Sequence, residues 1–220
     1  MSNPFGDFNI YHFVMSMVAL LVCLTIHEFA HAYSAYRAGD DTAKLAGRVS
    51  LNPIDHLHPL GTIMMVISSL SGFGIGWGKP VPVNPYRLRR PRWDNLMVSL
   101  WGPLSNLLTA AVVGTVLRFT AVPMANSGSP VLVNGEILLE TIVMVSIGLA
   151  LFNLIPIPPL DGSHILSAIL PYESAKKFDM FAAQFGMFLF LALFLLPGNL
   201  FGHIIGPPAG FLWKVFTGIP

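Results

Sequence analysis

Six apolar runs, separated by short polar stretches, set the plan of this chain. They cover about 11–38, 60–76, 96–122, 137–157, 178–197 and 200–216, the last interrupted by Pro207-Pro208. A helix that crosses a bilayer needs ~20 apolar residues. The 60–76 run falls short and ends in Gly72-Phe73-Gly74-Ile75-Gly76. Between 45 and 58, Leu45-Ala46-Gly47-Arg48-Val49-Ser50-Leu51-Asn52-Pro53 predicts strand or loop followed by a turn. The 79–94 stretch is rich in proline and carries Lys79, Arg87, Arg89, Arg90 and Arg92 against a single acid, Asp94. No internal repeat, long linker or separate soluble domain is visible. The expected fold is an all-α polytopic membrane protein with about five to six membrane segments. A re-entrant or shallow element is expected between the first span and the next. The chain reads as one domain over 1–220, with a motif-bearing core at about 11–170 and a C-terminal span and tail at 172–220.

Composition supports the membrane assignment. Of 220 residues, 54% are hydrophobic and only 10% charged, against about 25% charged in soluble domains; mean hydropathy is +0.66. Net charge is +1 and the basic residues form no long run, which argues against nucleic acid as a partner. The single cysteine, Cys23, allows no intramolecular disulfide and reads as a small core residue. Met1 to Asn9 has no Lys or Arg, so it lacks the basic start of a signal peptide, and the first apolar run is expected to be retained.

Basic residues also set an orientation. Arg37, Lys44, Arg48, the 79–94 stretch and Lys176-Lys177 read as cytoplasmic, whereas 1–9 and 123–135, without Lys or Arg, read as outside. These signs agree if 60–76 makes no net crossing, or if another piece of 39–95 crosses back with it. The expected location is the plasma membrane, with the active site toward the cytoplasm.

Chemistry enters at His27-Glu28-Phe29-Ala30-His31, inside the first apolar run. H-E-x-x-H on a helix puts two imidazoles one turn apart on one face. Both can bind one zinc, and the intervening Glu can activate a metal-bound water. Ionisable groups inside a span are costly and are functional by default.

A second motif is Asn153-Leu154-Ile155-Pro156-Ile157-Pro158-Pro159-Leu160-Asp161-Gly162. Its carboxylate can supply a third zinc ligand. With 1.5 Å rise per residue, His27 lies ~24 Å along a helix starting near Tyr11. The 137–157 run starts on the same side and is ~30 Å long. Asp161 follows its end, so both groups approach the same half of the bilayer. The prolines cannot continue a helix, and irregular backbone at membrane depth is tolerated only where it is buried or lines a wet cavity. Hydrolysis needs such a cavity. Asn153 can donate an N–H to the oxyanion of a tetrahedral intermediate. A third motif, Gly102-Pro103-Leu104-Ser105-Asn106, allows close helix packing and offers Asn106 either as a polar group at the site or as an interhelical hydrogen bond. His56 and His58, beside Pro59, read as interfacial. His164 is a candidate to orient Asp161.

The pairing of H-E-x-x-H in a first apolar helix with N-x-x-P-x-x-P-L-D-G in a later one resembles the site-2 protease family of intramembrane zinc metalloproteases, peptidase family M50. G-P-x-x-N at 102–106 and His58-Pro59-Leu60-Gly61 also look like that family, particularly its short members. The resemblance covers about residues 11–170. It implies His27, His31 and Asp161 as ligands of one Zn2+, Glu28 as general base, and Asn153 as a polar stabiliser near the reacting carbonyl. No PDZ-like or CBS-like segment is expected. The implied activity is that of an intramembrane zinc endopeptidase. It would cut transmembrane helices, taken from single-span membrane proteins or membrane peptides, near the cytoplasmic half of the bilayer. Two other readings are a divalent-metal transporter and an inactive helix-binding member. A glutamate in the base position and the lack of paired inverted repeats argue against the transporter. The full set of expected ligands gives the inactive reading no support.

Overall fold

Residues 10–38 contain neither glycine nor proline, and they form one uninterrupted helix, α1 (Ile10–Ala38). The computed structural model describes residues 10–70, 78–195 and 200–219. The further α-helices among them are α2 (Thr42–Leu45), α3 (Pro59–Leu70), α4 (Pro91–Ala125), α5 (Pro130–Asn153), α6 (Asp161–Ile169), α7 (Tyr172–Leu195) and α8 (Leu200–Thr217). Among the described residues there is no strand, only an isolated antiparallel bridge between Leu57 and Gly78. Among the described residues three helices, α1 from Phe13, α4 and α5, are long and apolar enough to cross a bilayer. α3 has 12 residues, ~18 Å at helical rise, short of the ~30 Å hydrocarbon core. Met1 to Asn9, the glycine-rich end of 60–76 and the end of 178–197 lie outside the described residues.

Several boundaries differ from the hydrophobic pattern for local reasons. α4 starts earlier than its apolar run because Pro91 at its first position needs no N–H partner. The Asp94 carboxylate also accepts from the Arg90 backbone N–H at 2.7 Å. α5 stops at Asn153, short of 157. Pro156 has no N–H to donate, and its ring disfavours helical backbone at Ile155. α8 runs through Pro207 and Pro208, where an interruption was expected. Proline's fixed φ suits a helix, while each ring removes one N–H donor and crowds the carbonyl four residues back. The 45–58 stretch resolves as loop, with a 3-10 turn at Pro53–His56 capped by Asn52, whose side chain accepts from the Ile54 N–H at 3.2 Å.

α1, α4 and α5 pack against one another. Where α1 meets α5, Ala19 and Cys23 lie against Ile142, and Cys23 Sγ is 3.1 Å from Ser146 Oγ. Small residues let the helices approach closely, and close packing drives association where lipid is as apolar as the side chains. The outer faces are apolar too: Val14, Val18 and Val22 on α1, and Leu108, Val112, Val116 and Phe119 on α4, are exposed. In an integral membrane protein this is the surface offered to lipid.

α4 touches most of the other elements. Near its start, Arg92 donates from Nε to the Ala168 carbonyl at 2.8 Å and from Nη2 to that of Leu170, closing the end of α6. Toward its other end, Arg118 donates to the Thr217 and Val215 carbonyls at 3.3 and 3.2 Å, closing the end of α8. These are the carbonyls a helix terminus leaves without partners. The end of α1 is tied down in turn. Its Ala38 carbonyl accepts from the Arg89 N–H at 3.1 Å. The buried Asp40 carboxylate accepts from the Thr42 and Asn84 backbone N–H groups at 3.0 and 2.6 Å. The 84–89 segment is thereby held against the end of α1.

Candidate metal centre

His27 and His31 are one turn apart on α1, so their rings share a face, and both are buried. Their Nε2 atoms are 3.0 Å apart. Asp161, the first residue of α6, brings Oδ2 to 3.2 Å from His27 Nε2 and 3.3 Å from His31 Nε2. That oxygen is buried and makes no hydrogen bond. Ligand atoms 2.0–2.1 Å from a tetrahedral zinc lie about 3.3–3.4 Å from one another. The donor set, two imidazoles and a carboxylate, and its spacing therefore fit zinc with one position left open. Among the described residues this is the one group of three or more such side chains near enough to hold an ion.

Three residues of α4, each one turn from the next, form the wall behind the histidines. The Val98 carbonyl lies 2.7 Å from His31 Nδ1. A carbonyl only accepts, so Nδ1 carries the proton and Nε2 keeps its lone pair for a metal. At Gly102 a methyl group would overlap His31 Nε2 and Cε1 and come within 2.7 Å of His27 Cε1, so only glycine fits. Asn106, fully buried, sets its side-chain Nδ2 3.2 Å from His27 Nδ1, while its Oδ1 has no hydrogen-bond partner. A metal on His27 Nε2 requires the proton on Nδ1, and turning the amide over, which exchanges two atoms of equal shape, brings Oδ1 to accept from it. The glycine read as a packing residue thus packs against the two imidazoles themselves.

Asp161 depends on the chain between α5 and α6. After Asn153 the backbone closes on itself, with the Ile157 N–H on the Ile155 carbonyl at 2.8 Å and the Leu160 N–H on that of Ile157 at 2.9 Å. Gly162 lies so close to the Leu154 and Ile155 carbonyl oxygens that a methyl group there would overlap both. This contact sets the first turn of α6, and Asp161 with it, against the end of α5.

The remaining candidates fall in different places. Glu28 lies on α1 between the histidines; its Oε2 is 3.8 Å from Arg48 Nη2. Asn153 ends α5 and donates one amide hydrogen to the Leu149 carbonyl at 2.9 Å. His164 is exposed and lines a cleft of about 930 Å3 with Arg92, Ser163 and Lys176; no hydrogen bond joins it to Asp161. His58 Nδ1 accepts from the Gly61 N–H at 3.3 Å. His56 is fully buried inside the protein, with Arg48 and Ser50 as partners. The contacts of Val98 and Arg48 are not legible in the sequence: a backbone carbonyl leaves no sequence signature, and Arg48, like Lys44, enters there only as a basic residue between two apolar runs.

Comparison with known proteins bears on the family and the metal. The family model described as "Peptidase family M50" matches residues 121–196. "Putative zinc metalloprotease YwhC" of Bacillus subtilis is 40% identical over 185 residues, covering 82% of this chain and 80% of the relative. "Putative zinc metalloprotease Rip2" of Mycobacterium tuberculosis is 35% identical over 188 residues, covering 84% of this chain and 68% of the relative. "Zinc metalloprotease MJ0392" of Methanocaldococcus jannaschii is 26% identical over 179 residues, covering 81% of this chain and 41% of the relative. No solved structure matches. The chain belongs to peptidase family M50, the site-2 protease family, and is an integral membrane zinc metalloprotease.

Proposed function

We propose that this protein hydrolyses peptide bonds of transmembrane helices within the bilayer, in the half nearest the end of α1. His27, His31 and Asp161 are the zinc ligands in this reading. The observation that carries it is the convergence of two Nε2 atoms and Oδ2 at 3.0–3.3 Å near the end of an apolar helix. Zinc, when bound, supplies Lewis acidity that polarises the scissile carbonyl and acidifies water. The chain's own residues do the rest. Glu28 takes a proton from the attacking water and returns it to the leaving amine. Asn153 has a second amide hydrogen beyond the one given to Leu149, and this donates to the oxyanion. The non-helical backbone of 154–160 gives water and an unwound substrate somewhere to lie. A substrate helix must open first, because a helical carbonyl is already hydrogen-bonded. Helix-breaking residues in the substrate therefore favour cleavage.

Ten of the twelve basic residues belong to the active-site end of the bundle: Arg37, Lys44, Arg48, Lys79, Arg87, Arg89, Arg90, Arg92, Lys176 and Lys177. This supports a cytoplasmic active site in the plasma membrane. The partners in this reading are single-span membrane proteins or membrane peptides, acted on by one domain spanning 1–220.

The test is purified protein in proteoliposomes with a single-span substrate. The wild type cleaves, and loses cleavage on chelation. Glu28→Gln retains zinc by metal analysis and does not cleave. Loss of zinc from that variant, or cleavage by it, removes Glu28 from the base role.

A further inference from the structure

Outside the metal centre, Arg48 is the most heavily buried cation among the described residues, with 2% of its surface exposed. Its backbone follows α2 through Gly47, at φ +72°. The Gly47 and Arg48 N–H groups return to the Lys44 and Ala43 carbonyls at 3.0 and 2.8 Å. That closure needs left-handed backbone, which glycine adopts without strain. It turns the chain so that Arg48 goes inward.

The guanidinium is held from several directions. Nη1 donates to the Pro80 carbonyl at 3.0 Å, and Nη2 donates to that of Lys79. Nη2 also lies 3.3 Å from His56 Nδ1. The His56 ring donates from Nε2 to the Ser50 carbonyl at 2.7 Å, which leaves Nδ1 as an acceptor for Arg48. Nε is buried and has no hydrogen-bond partner. The carboxylate within 4 Å is that of Glu28, 3.8 Å from Nη2.

Glu28 in turn makes no hydrogen bond among the described residues, and Arg48 is its one ion-pair partner there. A base in that condition can turn about its side-chain torsions, and its direction toward the substrate is set only by the field around it. A merely structural clamp on Lys79 and Pro80 would need neutral donors, whereas burying a full charge is costly unless an opposite charge faces it. Gly78, beside this clamp, lies so near α1 that a methyl group there would be 3.2 Å from the Leu24 side chain, one turn before Glu28.

We propose that Arg48 is the positioning residue for the Glu28 carboxylate, with His56 and the Lys79 and Pro80 carbonyls holding the guanidinium in place. This rests on Glu28 being the base. The unused Nε–H is the donor that engages Glu28 when the carboxylate closes the remaining distance. The charge is retained throughout, since guanidinium does not deprotonate in proteins.

The test compares Arg48→Met, Arg48→Lys, Glu28→Gln and the Arg48→Met/Glu28→Gln double variant, zinc-loaded and in proteoliposomes. Arg48→Met is expected to lose about a hundredfold in kcat, the scale of a misplaced reacting group. KM should stay within about twofold and zinc stoichiometry unchanged. Arg48→Lys should recover part of kcat, because an ammonium keeps the charge and loses the fork. Apparent unfolding midpoints give a readout independent of turnover: Arg48→Met should lower the midpoint less in the Glu28→Gln background than in the wild type. Additive midpoints, or a rise in KM with kcat unchanged, overturn the proposal. If Arg48→Met does not insert stably, Arg48→Lys decides: wild-type kcat overturns the proposal and a reduced kcat at constant KM supports it. Cleavage by Glu28→Gln would remove the base reading, while the midpoints would still report whether Arg48 holds Glu28.

Discussion

At position 102 the difference between glycine and alanine is one methyl group, and that methyl would occupy the space of the two imidazoles. Gly102→Ala is therefore expected to weaken zinc binding by about 10–100-fold, the range for lost support of a ligand, as read by chelator competition. Asn106 gives a two-sided test. Asn106→Asp keeps an acceptor for the His27 Nδ1–H and should hold zinc. Asn106→Leu removes it and should lose affinity on the same scale of about 10–100-fold. Equal affinities in the two variants would make Asn106 a packing residue only. Much of this centre was legible in sequence. H-E-x-x-H and the later Asp-Gly pair name the trio, and Gly102 and Asn106 were visible as a motif. What stayed hidden were groups whose meaning depends on neighbours far along the chain. The Val98 carbonyl is one, and the buried Arg48–His56 pair is another.

α4 shows what a single element can organise. One face supports both histidines, its first turns close α6 through Arg92, and its later turns close α8 through Arg118. Hydropathy located this helix, but its start is set by Pro91 and Asp94, which are local chemistry. The junction after α1 carries a pH-dependent contribution. Burial alone would raise the Asp40 pKa, but hydrogen bonds from Thr42 and Asn84, with Arg87 nearby, outweigh it and hold the carboxyl below its ordinary value. A lowered folded pKa stabilises the fold above the unfolded value of about 3.9, and that stability is lost as pH falls through the lower folded value. Asp40→Asn should cost about 1–3 kcal/mol at neutral pH, because it sets an amide donor against N–H groups. The gap to the wild type in apparent unfolding midpoint should narrow below about pH 4. A gap that widens in acid would contradict the sign.

Across the whole molecule, Arg118 places the end of α8 near the Ala125 end of α4, away from the metal. Cysteines introduced at Ser127 and Ile219 in a Cys23→Ala background should thus react with an impermeant reagent from one face of the membrane. Cysteines at Asn84 and Ser174 should react only from the other. Labelling of Ile219 together with Asn84 would contradict this arrangement. The apolar runs predict about five to six membrane segments, of which α1, α4 and α5 are long and apolar enough to span among the described residues; the basic residues give sides to 79–94, 123–135 and 176–177, but not to the end of α8. The candidate metal centre joins distant parts of the chain. Two of its three proposed ligands sit on α1, whereas Asp161, 130 residues beyond His31, belongs to the nine-residue helix α6. In polymer terms, an ion shared by them closes a ring, and the conformational freedom so removed grows with the logarithm of ring size. Opening that ring should release its lightest segment first. On chelation, backbone amides of α6 should gain hydrogen-exchange rate well before those of α1.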